Sequence, residues 1–479
     1  MGFFRLRVKK MGKISKGLAA SIGYFVGSLI AKGIGYFTTP LYTRLLTAEE
    51  YGKTAVFLSW AQALGIVFTF SLQNGVFNNG MVDYPDKRNE YSFSMLVLSN
   101  LITLLCSAVL LLSYPLIHPI LKMDFEFTVL MCLLFAVQPA YNLWMTRQRY
   151  EYRYKSTVFW SVICVIASSG MALCLLKFSG LDRLHARIFG AELTLVVIYI
   201  GFYIYVGKRA AWKLRTTYWK GAFLFNLPLI PHYLSIYCLN SSDRIMISHL
   251  VSDTAAAHYS VAYSVASVAT IIWTAINSSL IPFTYEKCKK EDYKPIASLV
   301  NLLLFIFAAG CFGVILLAPE VVAFMAPKSY QEAIYVIPPI VGGVFFQVQY
   351  SVYANVVYYY KKPFYVMLAS VSSAVLNIIL NFIFIPKFGY AAAGYTTLIC
   401  YLLQALLDCA AMKAAIGFNF YNMKFIALLS GVVLCVIPIS NFLYHGKTMR
   451  YALIVIALAL FAAFQKKMRN KIHALLTGK

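Results

Sequence analysis

Apolar stretches long enough to cross a bilayer recur along the whole chain. The clearest run over residues 95–117, 156–176, 188–206, 296–318, 364–385 and 424–443. Each is near the twenty or so residues that a helix needs to cross about 30 Å of hydrocarbon. Division at charge clusters and at Pro or Gly predicts fourteen spans, starting near residues 17, 54, 92, 126, 156, 187, 221, 254, 296, 331, 363, 390, 424 and 449. No long polar segment interrupts them, so a soluble catalytic domain is not expected.

Composition and charge agree with an all-α polytopic membrane protein. Of the 479 residues, 60% are hydrophobic and 13% are charged, whereas about a quarter of a soluble domain is charged. The 42 Lys and Arg concentrate at the N-terminus, in residues 147–155, 208–220 and 287–294, and in the C-terminal tail. The positive-inside rule therefore predicts that both termini are cytoplasmic. The basic residues form no continuous face, so nucleic acid is not an expected partner.

A weak internal repeat divides the chain. Residues 43–57 align with residues 248–262 at an offset of about 205, and in both a helix end and a short polar crossing precede a long apolar span. Such an offset fits a transporter built from two parallel six-helix halves with the substrate site between them. We therefore predict an N-terminal lobe over 1–207, a C-terminal lobe over 208–417, and two further helices with a basic cytoplasmic tail over 418–479.

One stretch carries a family resemblance. The sequence NIILNFIFIPKFGYAAAGYTTLICYLLQ (377–404) resembles the eleventh and twelfth helices of polysaccharide flippases in the multidrug/oligosaccharidyl-lipid/polysaccharide (MOP) exporter superfamily. Asn377, Asn381, Pro386 and Gly389 stand in the expected places, whereas the usual second glycine is displaced to Gly394.

Two further stretches extend the resemblance over most of the chain. LLTAEEYG (45–52) is similar to the first outer loop of the family, and residues 226–247 resemble its seventh helix, with paired prolines and a terminal Asp. The resemblance implies a V-shaped MOP/MATE-like fold. No cofactor is expected, apart from a proton or cation that could be coupled to transport.

The activity that the resemblance implies is that of a Wzx-type flippase, which is a transporter and not an enzyme. Such a protein moves an oligosaccharide, linked through pyrophosphate to a polyprenyl (undecaprenyl) lipid, from the cytoplasmic to the outer leaflet of the plasma (bacterial inner) membrane. The product serves cell-surface polysaccharides such as lipopolysaccharide O-antigen or capsule. Membrane lipids and other polysaccharide assembly proteins are the further expected partners.

Lys32 lies deep in the first span, where an unpaired cation costs upwards of about 2.5 kcal/mol. It shares a face of small and polar residues with Ser21, Ser28, Gly35, Tyr36, Thr39 and Thr43. We interpret it as a cavity cation that contacts the pyrophosphate. The alternatives are a structural pair with Glu192 or Asp408, or a side chain that reaches the membrane surface.

Arg44 and Arg244 are further candidates for pyrophosphate binding, because each is expected to end its helix near the outer mouth. A guanidinium matches phosphate oxygens well. The alternative for both is interfacial anchoring or a surface salt bridge.

Glu192 and Asp408 are acids isolated in apolar sequence, so they are candidates for proton coupling or for a structural role. Candidate sugar-binding residues are amides and aromatics within spans, namely Gln62, Asn74, Asn277, Gln347, Tyr350 and Tyr353. Their alternative role is hydrogen bonding between helices.

The sequence is also compatible with two other functions. A drug or metabolite antiporter of the MOP superfamily would share the fold, although such antiporters usually have about twelve spans. A membrane polysaccharide polymerase or ligase would handle the same lipid-linked sugars. These enzymes commonly need a large outer loop, which this chain lacks.

Overall fold

The computed structural model of the chain describes residues 16–151 and 153–456. Its long helices are α1 (Lys16–Leu45), α2 (Ala48–Phe68), α3 (Arg88–Leu112), α4 (Phe125–Tyr150), α5 (Tyr154–Phe178), α6 (Arg183–Arg209), α7 (Ile230–Leu250), α8 (Asp253–Lys289), α9 (Tyr293–Met325), α10 (Ile337–Tyr359), α11 (Pro363–Phe388), α12 (Ala391–Ile416) and α13 (Met423–Leu443). A fourteenth helix, α14, begins at residue 447 and is described as far as residue 456. The described residues contain no β-strand, and eleven of their helices are long and apolar enough to cross a membrane. The prediction of an all-α, multi-pass membrane protein is confirmed.

The described residues divide into two compact units. One comprises the chain up to Leu45 together with Trp60–Ile230, and the other comprises Leu46–Ser59 and the chain from Pro231 onwards. We call them unit 1 and unit 2. The division falls inside α2 and at the start of α7, while the lobe boundaries at 207/208 and 417/418 stay predictions.

The junctions predicted to repeat at an offset of 205 have matching helix boundaries. Helix α1 ends at Leu45 and α2 begins at Ala48, while α7 ends at Leu250 and α8 begins at Asp253. A hydroxyl residue caps the second helix of each pair. Thr47 Oγ1 accepts from the Glu50 backbone N–H at 3.2 Å, and Ser252 Oγ accepts from the Ala255 backbone N–H at 3.1 Å. The stretch LLTAEEYG is therefore a helix junction and its N-cap, with only two residues between the helices.

The structure explains why glycine stands at three positions in the stretches that carry the resemblance. A Cβ on Gly52 would lie 1.8 Å from the carbonyl oxygen of Asp253, so only glycine allows α2 to approach α8 this closely. Gly389 ends α11 with φ of +68°, a conformation that glycine adopts without strain. A Cβ on Gly394 would lie 3.0 Å from Val336, at a tight contact with the segment that leads into α10.

Helix α10 forms the centre of unit 2. In the most apolar 18 residues of the segment Lys328–Tyr359, which contains α10, 83% of the residues are buried inside the protein. The corresponding share for α5 is 11%. Helix α10 therefore packs on protein on nearly all sides, whereas few residues of α5 are fully buried. Unit 1 has its own core, in which Tyr141 and Trp144 of α4 pack on Tyr199 and Phe202 of α6.

Two breaks interrupt the helical backbone of unit 1. A 3-10 turn (Leu227–Leu229) that contains Pro228 precedes α7, and an irregular turn follows α2. Buried Asn226 joins the two breaks, because its Nδ2 donates to the Phe70 carbonyl at 2.5 Å and its Oδ1 accepts from the Val76 N–H at 3.0 Å. Non-helical backbone within a membrane requires such internal partners.

Candidate functional site

The three predicted pyrophosphate-binding cations lie in different settings. Lys32 belongs to α1, but its side chain lies outside the described residues. Arg44, in the last turn of α1, is exposed, and its Nη1 donates to the Pro40 carbonyl at 2.8 Å. The assignments of Lys32 and Arg44 to pyrophosphate stay predictions.

The prediction that Arg244 ends its helix is wrong, because α7 continues to Leu250. Its guanidinium carbon lies 4.5 Å from the centre of the Tyr263 ring on α8. Its Nη1 also donates to the carbonyl of Asn240, one turn earlier, at 3.4 Å. A cation–π contact with a partly buried guanidinium orients the side chain without neutralising its charge.

A polar cluster lies one turn before Arg244. Asn240 Oδ1 accepts hydrogen bonds from Tyr263 Oη at 3.2 Å, from Tyr401 Oη at 3.0 Å and from Gln347 Nε2 at 3.4 Å. The ring of Tyr350 is parallel to that of Tyr401, with centroids 6.2 Å apart. We call Asn240, Tyr263, Gln347, Tyr350 and Tyr401 the Asn240 cluster. It brings two of the predicted sugar-binding residues, Gln347 and Tyr350, next to the residues that hold Arg244.

The other predicted sugar-binding residues do not join this cluster. Asn277 Oδ1 accepts from Asn355 Nδ2 at 2.7 Å, which links α8 to α10. Tyr353 is buried and packs on Tyr421. Gln62 and Asn74 belong to unit 1 and are exposed. For Asn277 the geometry is that of an interhelical contact, while a role in sugar binding stays a prediction for all four.

Glu192 and Asp408 are both buried, as their apolar surroundings in the sequence indicated. Asp408 has no exposed surface, and neither of its carboxylate oxygens has a hydrogen-bond partner within the described part of the chain. A buried carboxylate without donors is costly in its charged form. Asp408 differs in this respect from Asp243, whose carboxylate accepts three hydrogen bonds.

Sequence reasoning missed a buried network around Asp243. The carboxylate, 1% exposed, accepts hydrogen bonds from Asn381 Nδ2 at 2.7 Å, from Thr397 Oγ1 at 2.9 Å and from the hydroxyl of Tyr259. Asn381 also donates to Asn377 Oδ1 at 3.1 Å and accepts a hydrogen bond from Thr396. The Asp243 network thus comprises Asp243, Tyr259, Asn377, Asn381, Thr396 and Thr397, from α7, α8, α11 and α12.

The network explains the two asparagines in the stretch that carries the resemblance. They support a buried carboxylate and do not face solvent, since both are fully buried. A signal was present in the sequence, because Asn377 and Asn381 are spaced i, i+4 and so share a helix face. Asp243 was also an acid within a span, namely the terminal Asp of the stretch that resembles the seventh helix.

Arg187 is the second residue that sequence reasoning missed. It lies near the start of α6, and its guanidinium carbon is 4.0 Å from the centre of the Tyr42 ring on α1. Its Nε is buried and has no acceptor among the residues that the structure describes. Tyr42 is itself fixed by a hydrogen bond from its hydroxyl to the Ser169 carbonyl at 3.2 Å. Arg187 directly precedes the apolar run 188–206, so by sequence alone it looks like a charge at the membrane flank.

The described residues hold no group of three or more His, Cys, Asp or Glu that could bind a metal, and all ten cysteines are free thiols. The arrangement that the structure does show is one oriented cation, Arg244, beside the amides and aromatic rings of the Asn240 cluster.

The fold defines the class of protein. A structure described as "Lipid II flippase MurJ, inward closed conformation" is similar with a TM-score of 0.65 and 15% identity, covering 94% of this chain and 99% of that one. A multidrug resistance MATE family transporter of the MOP superfamily, in an inward-facing conformation, matches with a TM-score of 0.54 and 11% identity, covering 88% and 96%. The fold is that of MOP-superfamily transporters, as the resemblance predicted.

Sequence comparison gives the family. Residues 18–287, more than half of the chain, match the family described as polysaccharide biosynthesis protein, and the chain belongs to that family. "Probable low-salt glycan biosynthesis flippase Agl15" of Haloferax volcanii is 22% identical over 419 residues, which cover 84% of each chain. A protein of the Lsg locus of Haemophilus influenzae is 23% identical over 368 residues, covering 75% of this chain and 88% of that one. The expectation of a transporter, and not an enzyme, is confirmed by this family and these neighbours.

Proposed function

We propose that the protein is a flippase for polyprenyl (undecaprenyl) pyrophosphate-linked oligosaccharides. It moves these lipids from the cytoplasmic to the outer leaflet of the bacterial inner membrane by alternating access through a cationic central cavity, with both termini in the cytoplasm. The observation that carries the proposal is membership of the polysaccharide biosynthesis protein family in a chain with the MOP transporter fold.

In this proposal Lys32, Arg44 and Arg244 bind the pyrophosphate. Arg244 has the most support, because its cation–π contact with Tyr263 holds the guanidinium in place next to the Asn240 cluster. A bound pyrophosphate would pair with this oriented cation. An ammonium at Lys32 would add a strongly hydrated point charge, which suits an anion that must also be released.

The sugar would lie against the Asn240 cluster. Gln347 offers amide hydrogen-bonding groups, and Tyr350 offers an aromatic face for a pyranose ring. Gln62, Asn74, Asn277 and Tyr353 are further candidates on sequence grounds.

Proton or cation coupling is assigned to Glu192 and Asp408. Asp408 has the better support, since a carboxylate without hydrogen-bond donors favours a bound proton or cation over the free charged form. Release and rebinding of that ion would then accompany the conformational change.

The direct test is transport in vesicles. Purified protein would be reconstituted with a fluorescent polyprenyl-pyrophosphate oligosaccharide, and the outward-exposed fraction would be followed with an impermeant quencher. We expect protein-dependent translocation that Arg244→Gln strongly slows. Reconstituted, folded protein that does not translocate this lipid, but exports cationic dyes, would overturn the proposal in favour of the MOP antiporter alternative.

A further inference from the structure

A recess within unit 1 lies where the ends of three helices meet. It is lined mainly by Trp144, Arg147, Glu151, Arg153, Tyr205 and Arg209, from the C-terminal ends of α4 and α6 and the connection between α4 and α5. We call it the Arg147 recess. By the predicted orientation, this end of unit 1 faces the cytoplasm.

Arg147 is held in a fixed geometry inside the recess. Its Nε donates to Glu151 Oε1 at 2.6 Å, and its Nη1 donates to Asn89 Oδ1, in the first turn of α3, at 2.6 Å. The side chain of Arg147 is only 16% exposed. A basic residue that served only to orient the chain in the membrane would need neither this burial nor two oriented partners.

The charges in the recess do not balance. Glu151 also pairs with Arg153, whose Nε lies 3.3 Å from Glu151 Oε2, so one carboxylate serves two guanidiniums. Arg209 adds a third guanidinium, 5.5 Å from the centre of the Tyr205 ring. The recess therefore carries excess positive charge, and the side chains of Arg153 and Arg209 are exposed at its mouth.

The position of the recess sets the kind of anion. Trp144 and Tyr205 line it, and such aromatic residues are enriched at the level of lipid head groups. Basic pockets between membrane helices on the cytoplasmic side bind phosphate-bearing head groups. The recess itself has a volume of about 10 Å³, which is roughly the space for one water. A phosphate group would therefore lie across the mouth and contact Arg153 and Arg209.

We propose that the Arg147 recess binds the phosphate of a lipid head group in the cytoplasmic leaflet. Arg147 and Glu151 form its fixed base, and Arg153 and Arg209 bind the phosphate oxygens. Two lipids carry this chemistry, namely anionic phospholipids and the polyprenyl pyrophosphate of the proposed substrate. Binding of the phospholipid would not require flippase activity, so this proposal can hold even if the proposed function fails.

The test is a lipid titration of the purified full chain in neutral detergent, with bound lipid counted by native mass spectrometry. The probes are phosphatidylglycerol, an undecaprenyl pyrophosphate and, as the neutral reference, phosphatidylcholine. The variants are Arg153→Gln and Arg209→Gln, both exposed and therefore compatible with folding. The matched control is Lys208→Gln, which removes an exposed positive charge next to Arg209 from a residue that does not line the recess.

We expect the wild type to prefer one or both anionic lipids over phosphatidylcholine. Loss of one charge-assisted contact should weaken that binding roughly tenfold in either recess variant and leave it unchanged in Lys208→Gln. Preference for phosphatidylglycerol would identify a phospholipid site, and preference for the pyrophosphate would identify a site that gathers substrate. Equal binding of phosphatidylcholine would overturn the proposal, because the charge of the recess would then not select the lipid. An equal loss in Lys208→Gln would also overturn it, because only diffuse surface charge would then be involved.

Discussion

The Asp243 network gives a quantitative prediction. Tyr259→Phe removes the hydroxyl that donates to Asp243 and leaves the ring in place. The substitution removes a single oxygen atom, so it creates no large cavity. Because the ring is fully buried, lipid does not reach the site. The change in stability should therefore report on the hydrogen bond almost alone.

The expected magnitude depends on the charge of the acceptor. A hydrogen bond to a charged group contributes about 1.5–3 kcal/mol, whereas one between neutral groups contributes about 0.5–1.5 kcal/mol. Asp243 would keep its bonds from Asn381 and Thr397, which limits relaxation. With an ionised Asp243, we expect Tyr259→Phe to lower the free energy of unfolding by roughly 2 kcal/mol.

A matched control lies one turn away on the same helix. Tyr263→Phe also removes a hydroxyl, but that hydroxyl donates to the neutral amide oxygen of Asn240 at 3.2 Å, so a cost nearer 1 kcal/mol is expected. Both variants would be combined with Asp243→Asn, and stability would be measured in detergent by thermal or denaturant unfolding. In the Asp243→Asn background the cost of Tyr259→Phe should fall, while that of Tyr263→Phe should not change.

Two results would refute this reasoning. Equal costs for Tyr259→Phe and Tyr263→Phe would show that Asp243 is not a charged acceptor. An unchanged cost of Tyr259→Phe in the Asp243→Asn background would show that the two side chains are not coupled.

Four further predictions follow from other parts of the chain. Lys32→Ala should abolish flipping in vesicles while the protein keeps its normal abundance in the membrane, and Lys32→Arg should keep part of the activity. A fully active Lys32→Ala would contradict both the cavity interpretation and the structural-pair interpretation. Arg450→Met should lower thermal stability, because it breaks a pair with Glu320 that joins α14 to α9. Since Glu320 is 36% exposed, the cost should stay below the roughly 3–5 kcal/mol of a fully buried pair, and an unchanged melting temperature would show that the pair is not stabilising. Asp408→Asn should alter the pH profile of transport and leave insertion intact, and an identical profile would exclude coupling through this acid. Single introduced cysteines in residues 208–220, with the native cysteines removed, should resist impermeant reagents added outside the cell, and labelling there would reverse the topology.

The sequence by itself determined the helices. The predicted starts near 156, 296 and 363 lie within three residues of the observed starts of α5, α9 and α11. This accuracy has a local cause, because each span must bury its backbone in hydrocarbon of fixed thickness and each end is marked by charges, Pro or Gly. The glycines at 52 and 389 were likewise visible as motif positions, although only their contacts and φ angles explain them.

Only the tertiary structure decided which polar side chains meet. Asp243 lies 138 residues from Asn381, and Arg187 lies on a helix five spans after that of Tyr42. In a soluble protein the apolar face of a helix marks the core, but a membrane helix is apolar towards lipid as well as towards its neighbours. Hydropathy therefore located the helices but did not show which face of each is internal. The buried positions of Asp243 and of nearly all of α10 emerged only from packing.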